Sequence, residues 1–300
     1  MSDKLGKFRS VEDRERFLAV YDHAVEELWP VASEELDIAT GYGMPHVRRS
    51  GPVEGSPVVL VHPASGTSLA WARLVKPLAE RRPVYALDTI GAMGRSVQTR
   101  PITGTDDLSA WMREVLDGLG LETVHLVGYS EGGFVAFHAA LGNADRLASL
   151  VAIDAAGTVE GVRLRFLASL WWTILKVWLR VPNALRDFGQ RLAPGVGLSE
   201  LEWELVNRAT VFRPALPMPR KLSDDQLRRL TTPTLLYMAE NSEVYDPVRT
   251  AARADALMPD VETVTVENAQ RGLPYTHPDR TVKDVLDFIA RHDAATHPAP

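Results

Sequence analysis

The 300-residue chain contains no cysteine. That absence excludes disulfides, thiolate zinc sites and a cysteine nucleophile. An excess of positive charge is also lacking: 33 Lys and Arg face 39 Asp and Glu, a net charge of −6. Phosphate backbones call for a basic face, so nucleic acid is excluded as a partner. Nor is there a long hydrophobic run. The longest near-apolar stretch, Phe166 to Leu175, is far short of the roughly 20 residues that span a bilayer, which excludes an integral membrane span. The N-terminus, MSDKLGKFRSVEDRERF, is charged throughout and has no apolar signal core, so a cytoplasmic location is expected. No Gly-rich phosphate or dinucleotide fingerprint follows the first strand candidate. No histidine pair has metal-ligand spacing with a carboxylate, and no cofactor is expected.

What is there is 45% hydrophobic, enough for one large core and an inserted module. SVED at 10–13 fits a capping box opening the helix FLAVYDHAVEEL. Short apolar runs follow: PVVLV (57–61), PVYALD (83–88), TVHLVG (123–128), LASLVAID (147–154), PTLLYMA (233–239) and VETVTV (261–266). Near-continuous β-branched runs predict strands buried on both faces of a parallel sheet. Helix-like stretches such as SLAWARLVKPLAE and TDDLSAWMREVLDGL alternate with the early runs, implying βαβ units and an α/β sandwich.

Between Asp154 and Thr232 no strand candidate occurs, and the gap is too long for a plain connection. Residues 158–229 are therefore expected to form a helical cap. It follows the sixth strand of a core made of 1–157 and 230–295, with 296–300 as a disordered tail. In the cap's first helix, Arg165, Ser169, Thr173, Lys176 and Arg180 fall on one stripe, and apolar residues fill the rest. So wide an apolar arc predicts burial against its own domain; a lining for a greasy substrate pocket is compatible with that, and membrane-surface docking is the third option.

The strongest motif is GYSEGG at 128–133, after the strand TVHLVG and before the helix-like FVAFHAALG. Gly-x-Ser-x-Gly in that setting is a nucleophile elbow. Gly128 and Gly132 keep side chains out of a tight turn and Ser130 is held at the top of the sheet. The Glu131 amide faces an incoming oxyanion, and the helix N-terminus adds partial positive charge.

These residues resemble the α/β-hydrolase superfamily over nearly the whole length, most closely a bacterial carboxylesterase branch. The resemblance implies an α/β-hydrolase fold, a mostly parallel central sheet flanked by helices, with the inserted cap. VVLVHPASGTSLAW (58–71) is similar to the family's strand and His-Gly-x loop. Ala64 then gives the second oxyanion-hole amide, with Ser65 beside it. Pro63 stands where glycine is usual, His62 is structural, and so is Asp88, at the fourth strand's exit. In MAENSEVYDP, Glu243 takes the slot of the triad acid, with Asp246 next and Asp154 a third candidate. Ser65, Tyr129, Trp171 and Trp172 are expected to contact substrate.

The general base is the departure. The family's Gly-His follows the last strand, seven residues before a proline; counting back from Pro278 reaches Arg271, preceded by Gln270. Arginine, with a pKa above ~12, holds no free lone pair at neutral pH. His277 is six residues on and, in a rearranged loop, would replace the base; otherwise it is an exposed first-turn residue. Three readings stay open. The first is a serine-dependent ester, lactone or thioester hydrolase or acyl transferase acting on a hydrophobic small molecule. The second is a non-hydrolytic isomerase, lyase or cyclase of natural-product biosynthesis, with Arg271 steadying an enolate or alkoxide. The third is a ligand-binding pseudoenzyme. The partners expected are the hydrophobic substrate and, optionally, a second copy of the chain.

Overall fold

The computed structural model describes residues 5–155 and 157–293. In chain order its main elements are α1 (Val11–Leu28), β1 (Ser33–Asp37), β2 (His46–Ser50), β3 (Val58–Val61), α2 (Ala72–Ala79), β4 (Val84–Asp88), α3 (Thr105–Gly118), β5 (Val124–Tyr129), α4 (Glu131–Gly142) and β6 (Leu147–Ile153). Then come α5 (Leu164–Trp178), α6 (Ala184–Leu192), α7 (Glu200–Arg208) and α8 (Asp224–Arg228). The chain closes with β7 (Thr234–Ala239), α9 (Pro247–Leu257), β8 (Val261–Val266), α10 (Leu273–Thr276) and α11 (Pro278–His292).

The eight strands form one sheet in the order β8-β7-β6-β5-β3-β4-β2-β1. β3 to β8 run parallel, and β2 pairs antiparallel with both β4 and β1. Every residue of β3, β4, β5, β6 and β7 is buried, as continuous apolar runs require when helices cover both faces. One apolar layer joins the sheet to α3 and α4 through Leu108, Trp111, Phe134 and Phe137. The opposite layer joins it to α1, α2 and α11 through Phe17, Tyr21, Leu74, Val285 and Phe288. The predicted helices at 17–28, 68–80 and 105–119 appear close to where the pattern put them, and Ser10 caps α1 by accepting from the Asp13 amide at 3.0 Å. The fold is that of an α/β hydrolase.

Two strands escaped the apolar pattern. β1, SEELD, lies at the sheet's edge with four of five residues exposed. β2, HVRRS, buries Arg48, which donates to Glu35 at 2.7 Å and Ser33 at 3.1 Å on β1 and sits 5.6 Å over the Trp29 ring.

The segment between β6 and β7 holds α5 to α8, and here the expected burial of the first helix is overturned. The less exposed side of α5 carries Phe166, Leu170, Thr173 and Val177, and the Phe166 ring lies 6.1 Å from that of Phe188 on α6, tilted by 39°. Ser169 and Thr173, expected on the solvent stripe, are turned inward: Arg191 donates to the Ser169 hydroxyl, and the Thr173 hydroxyl donates to the Ser169 carbonyl at 2.9 Å. The supporting strip is narrow, so Trp171 and Trp172 point to solvent instead of inward. The tail expected at 296–300 lies outside the described residues.

Candidate active site

The corner between β5 and α4 is sterically forced. A Cβ on Gly128 would come within 2.3 Å of the Gly132 carbonyl oxygen, and one on Gly132 within 2.0 Å of the Val61 carbonyl oxygen. No side chain fits at either place. Ser130 between them has φ 57° and ψ −114°, a backbone state costing roughly 1–3 kcal/mol that persists only where the surroundings impose it. Its amide donates to the Ile153 carbonyl at 2.9 Å, and its own carbonyl accepts from Gly133 at 3.0 Å. Ser130 thus ends β5 and starts α4, half-buried.

The loop after β3 faces this corner. Residues 63–66 make a turn closed by the Gly66 amide on the Pro63 carbonyl at 3.1 Å, with Ser65 at φ 56°. His62 holds it from below: Nε2 accepts from the Thr89 amide at 3.0 Å, which leaves Nδ1 to donate to the Pro63 carbonyl at 2.8 Å. Among the described residues, neither the Ala64 nor the Glu131 amide is engaged with another protein group. An oxyanion hole needs two such free donors. The Glu131 carboxyl is half-buried, and desolvation pushes it up to about 7.

Arg271 fills the site's other side. It is only 5% exposed, and its Nη2 donates to the Ser130 hydroxyl oxygen. Its Nη1 is buried with no partner among the described residues. Beside it stands Tyr129, whose hydroxyl burial pushes up to about 12 against the pull of the guanidinium. The next residue, Gly272, donates to the Asp154 carboxylate at 3.3 Å. Asp154 is fully buried just past β6, at φ 46°, and also accepts from the Tyr245 hydroxyl at 2.6 Å and the Ala239 amide at 3.1 Å. Asp154 therefore ties β6, β7 and the loop of Arg271 together. α10 is clamped from the other side, where Arg73 lies 4.6 Å over the Tyr275 ring and binds Glu202 at 2.9 Å and the Gly197 carbonyl at 3.0 Å.

The structure thus brings Ser130, Glu131, Tyr129 and Arg271 together. Ala64 and Ser65 lie exposed on the loop after β3, and Trp171 and Trp172 lie on the outward side of α5. Glu243 is exposed and makes no hydrogen bond or ion pair among the described residues. His277 sits at the junction of α10 and α11, with Nδ1 2.9 Å from the Thr276 hydroxyl. No described histidine is hydrogen-bonded to Ser130. The connecting role of Asp154 and Tyr245 was not anticipated, although a carboxylate closing a buried strand and the tyrosine of EVYDP were visible signals.

A Ser-His-Asp arrangement does lie at the far end of the sheet. His125 Nδ1 is 2.8 Å from the Ser149 hydroxyl and its Nε2 is 3.0 Å from Asp293, which Arg82 grips at 2.7 and 2.5 Å. Ser149 has no exposed surface, so no substrate reaches it. Desolvation pushes His125 down to about 4, despite Asp293. A cleft lined by Ser56, Arg82, His125 and Asp293 opens there, at the strands' amino ends. Ligands of open parallel sheets bind at the carboxyl ends, so the Ser130 corner is the candidate site.

A strained serine corner between the fifth strand and its helix, within a sheet of this order, defines α/β hydrolases. Residues 58–284 match the alpha/beta hydrolase family, and the chain belongs to it. It is 28% identical over 294 residues to the carboxylesterase YbfK of Bacillus subtilis, covering 94% of this chain and 96% of that one. It is also 28% identical to the uncharacterized carboxylesterase nap of the same organism, over 91% of this chain and 92% of that one. The crystal structure of the B. subtilis naproxen esterase superimposes with a TM-score of 0.86 at 26% identity, covering 94% of this chain and 99% of that one.

Proposed function

We propose that this protein hydrolyses esters, lactones or thioesters of hydrophobic small molecules through Ser130, with Arg271 in place of the usual histidine. The observation that carries this reading is the hydrogen bond from Arg271 Nη2 to the Ser130 hydroxyl. A guanidinium cannot take the serine proton, but a cation at contact distance lowers the energy of an alkoxide or oxyanion. The contact that favours the charged form of a carboxylate beside arginine favours the Ser130 alkoxide in the same way. Solvent hydroxide then removes the proton. The Ser130 alkoxide bonds to the ester carbonyl carbon while the Ala64 and Glu131 amides receive the oxyanion. The bond to the leaving alkoxide breaks, that group takes a proton from water, and hydroxide releases the acid from Ser130. The division into a core of 1–157 and 230–295 and a cap of 158–229 belongs to the same reading.

Its test is the pH dependence of kcat/KM on a p-nitrophenyl ester, together with fluorophosphonate labelling. The expected result is a rate rising tenfold per pH unit, with no plateau near 7, and a label lost in Ser130→Ala. A plateau that disappears in His277→Ala would identify a relocated histidine base and overturn the role given to Arg271.

A second reading, a ligand-binding protein without chemistry, is favoured by the buried Arg271 Nη1 without a partner. Such a group invites a carboxylate acceptor. Carboxylate binding with no Ser130-dependent turnover at any pH is the result that selects it. The relatives named above are esterases, and the isomerase, lyase or cyclase alternative is not carried further.

A further inference from the structure

α5 turns its apolar side to solvent. Leu164 is 82% exposed, Trp171 70%, Trp172 58%, Trp178 76% and Leu179 58%, with Ile174 and Leu175 also exposed between them. At about 100° per residue these seven share one arc of about 160°. Scattered exposed hydrophobics are ordinary, but a contiguous apolar face marks an interaction surface.

The margin of that face is basic. Residues 161–186 contain Arg163, Arg165, Lys176, Arg180 and Arg186 and no carboxylate, in a chain whose net charge is −6. Arg163 and Arg186 are paired with Asp246 and Glu200. Arg165, Lys176 and Arg180 have no ion pair among the described residues. Arg165 and Lys176 lie beside Trp172 on the helix circumference.

A second copy docked antiparallel across a two-fold axis would bring these three cations against their own counterparts, and one docked parallel would set them against a margin with no acid on the helix to answer them. A bilayer rich in anionic lipid meets both features at once. Tryptophan favours the headgroup boundary, leucine and isoleucine reach the acyl chains, and lipid phosphates accept the cations. We propose that α5 docks this protein on an anionic membrane surface, its axis in the interface plane and the Trp171–Trp172–Trp178 face embedded. The Arg163 amide, at the start of α5, bonds the Val244 carbonyl at 2.8 Å, and the Arg163 guanidinium bonds the Ser242 carbonyl at 3.1 Å. The lipid-facing helix is thereby tied to the carboxyl ends of the strands, the side that carries Ser130. Docking is independent of the hydrolytic reading, because no residue of the face belongs to the Ser130, Arg271 and Asp154 cluster.

The test is co-sedimentation of the full chain with vesicles of phosphatidylcholine alone and of an equimolar mixture with phosphatidylglycerol. Tryptophan emission is followed with brominated lipid as the quencher. Binding to the mixed vesicles, weakened by salt, with quenched emission, is expected. Exchanging Trp171, Trp172 and Trp178 for Ser should lower the association constant at least about tenfold, since binding follows buried apolar area. Reversing Arg165, Lys176 and Arg180 to Glu should cost about fivefold per cation and abolish the preference for phosphatidylglycerol. Should the tryptophan variant misfold, the charge variant decides alone. No binding to mixed vesicles overturns the proposal. So does a dimer in sedimentation velocity that the tryptophan exchange converts to monomer, since the occupant is then a second copy.

Discussion

Ser130 lies just past the carboxyl end of β5, whereas Ser149 lies near the amino end of β6, and their surroundings are inverted. Ser149 has the full inventory of a catalytic triad, with His125 and Asp293 in line. It sits within a strand, beside a register shift in the ladder that pairs it with His125, and is sealed from solvent. Ser130 has a guanidinium where imidazole is usual, yet it has the strained corner, the free amides and the exposure. The lower cluster fastens the end of α11 to the sheet through Arg82 and Asp293. What separates the serine proposed to react from the structural one is backbone geometry and access, because those create a place for substrate and for its developing charge.

The sharpest way to break that comparison is to give the upper serine what the lower one has. Arg271→His should raise kcat/KM by about 10²–10⁴-fold, the usual contribution of a positioned general base. It should also convert the rising pH–rate line into a plateau above about pH 7, where imidazole is neutral. The same exchange made over Asp154→Asn should lose most of the gain, whereas over Glu243→Gln it should keep it. Asp154 holds the Gly272 amide next to position 271, and Glu243 is exposed. No gain from Arg271→His, with Ser130 still labelled by a fluorophosphonate, means that the corner is not arranged for a base at that position.

The lower cluster is tested by acid. Desolvation holds His125 down to about 4. Burial raises the Asp293 carboxyl, but hydrogen bonds from Arg82 and other neighbours outweigh it and hold the group at about 2. Both folded values lie below the unfolded ones. The associated stability is therefore complete above about pH 6.5 and is lost as pH falls, first through His125 and then through Asp293. For His125, fully buried, the loss by pH 4 is on the order of 3 kcal/mol. His125→Phe should flatten the melting temperature between pH 6.5 and 4, leaving only a later fall. A wild-type melting temperature that stays level over that range contradicts a buried neutral His125.

A smaller effect probes how firmly the upper corner is imposed. Gly132→Ala places a methyl against the Val61 carbonyl oxygen, 2.0 Å away before relaxation. A backbone neighbour cannot yield cheaply, so the expected destabilisation is about 1–3 kcal/mol, measured by denaturant midpoint. The fluorophosphonate label should weaken in step. A variant that melts normally and labels normally would show that the corner has room to spare.

The unequal legibility of this chain follows from the same physics. The elbow depends on glycines at fixed spacing beside a strand and a helix, all local, so GYSEGG displayed it. β3 to β7 were visible because burial on both faces demands unbroken apolar runs, and β8, at the other edge, through the alternating valines of VETVTV. β1 and β2 were not, because an edge strand needs few apolar residues and Arg48 is buried through partners on β1 and at Trp29. Asp154 and Glu243 illustrate the harder case. Both are carboxylates after a strand, and only the three-dimensional meeting of Asp154 with Tyr245, Ala239 and Gly272 separates them. For α5, composition gave the width of the apolar arc but not its direction, since burial and exposure leave the same sequence pattern.

The smallest effect concerns Glu131, the residue that gives an amide to the site and a carboxyl to its wall. Desolvation raises that carboxyl to about 7. A raised acid contributes its stability below the unfolded pKa and loses it as pH climbs through the folded one. Glu131→Gln carries no such charge, so it should match the wild type near pH 4 and exceed it by about 1 kcal/mol at pH 8, the shift being discounted for partial exposure. The pH–rate line should keep its slope in this variant, because the amide of residue 131 remains. If instead the wild type levels off above about pH 7 and Glu131→Gln loses that plateau and most of the rate, the Glu131 carboxylate itself takes the Ser130 proton. Solvent hydroxide is then not the base, and the guanidinium serves only to orient the hydroxyl.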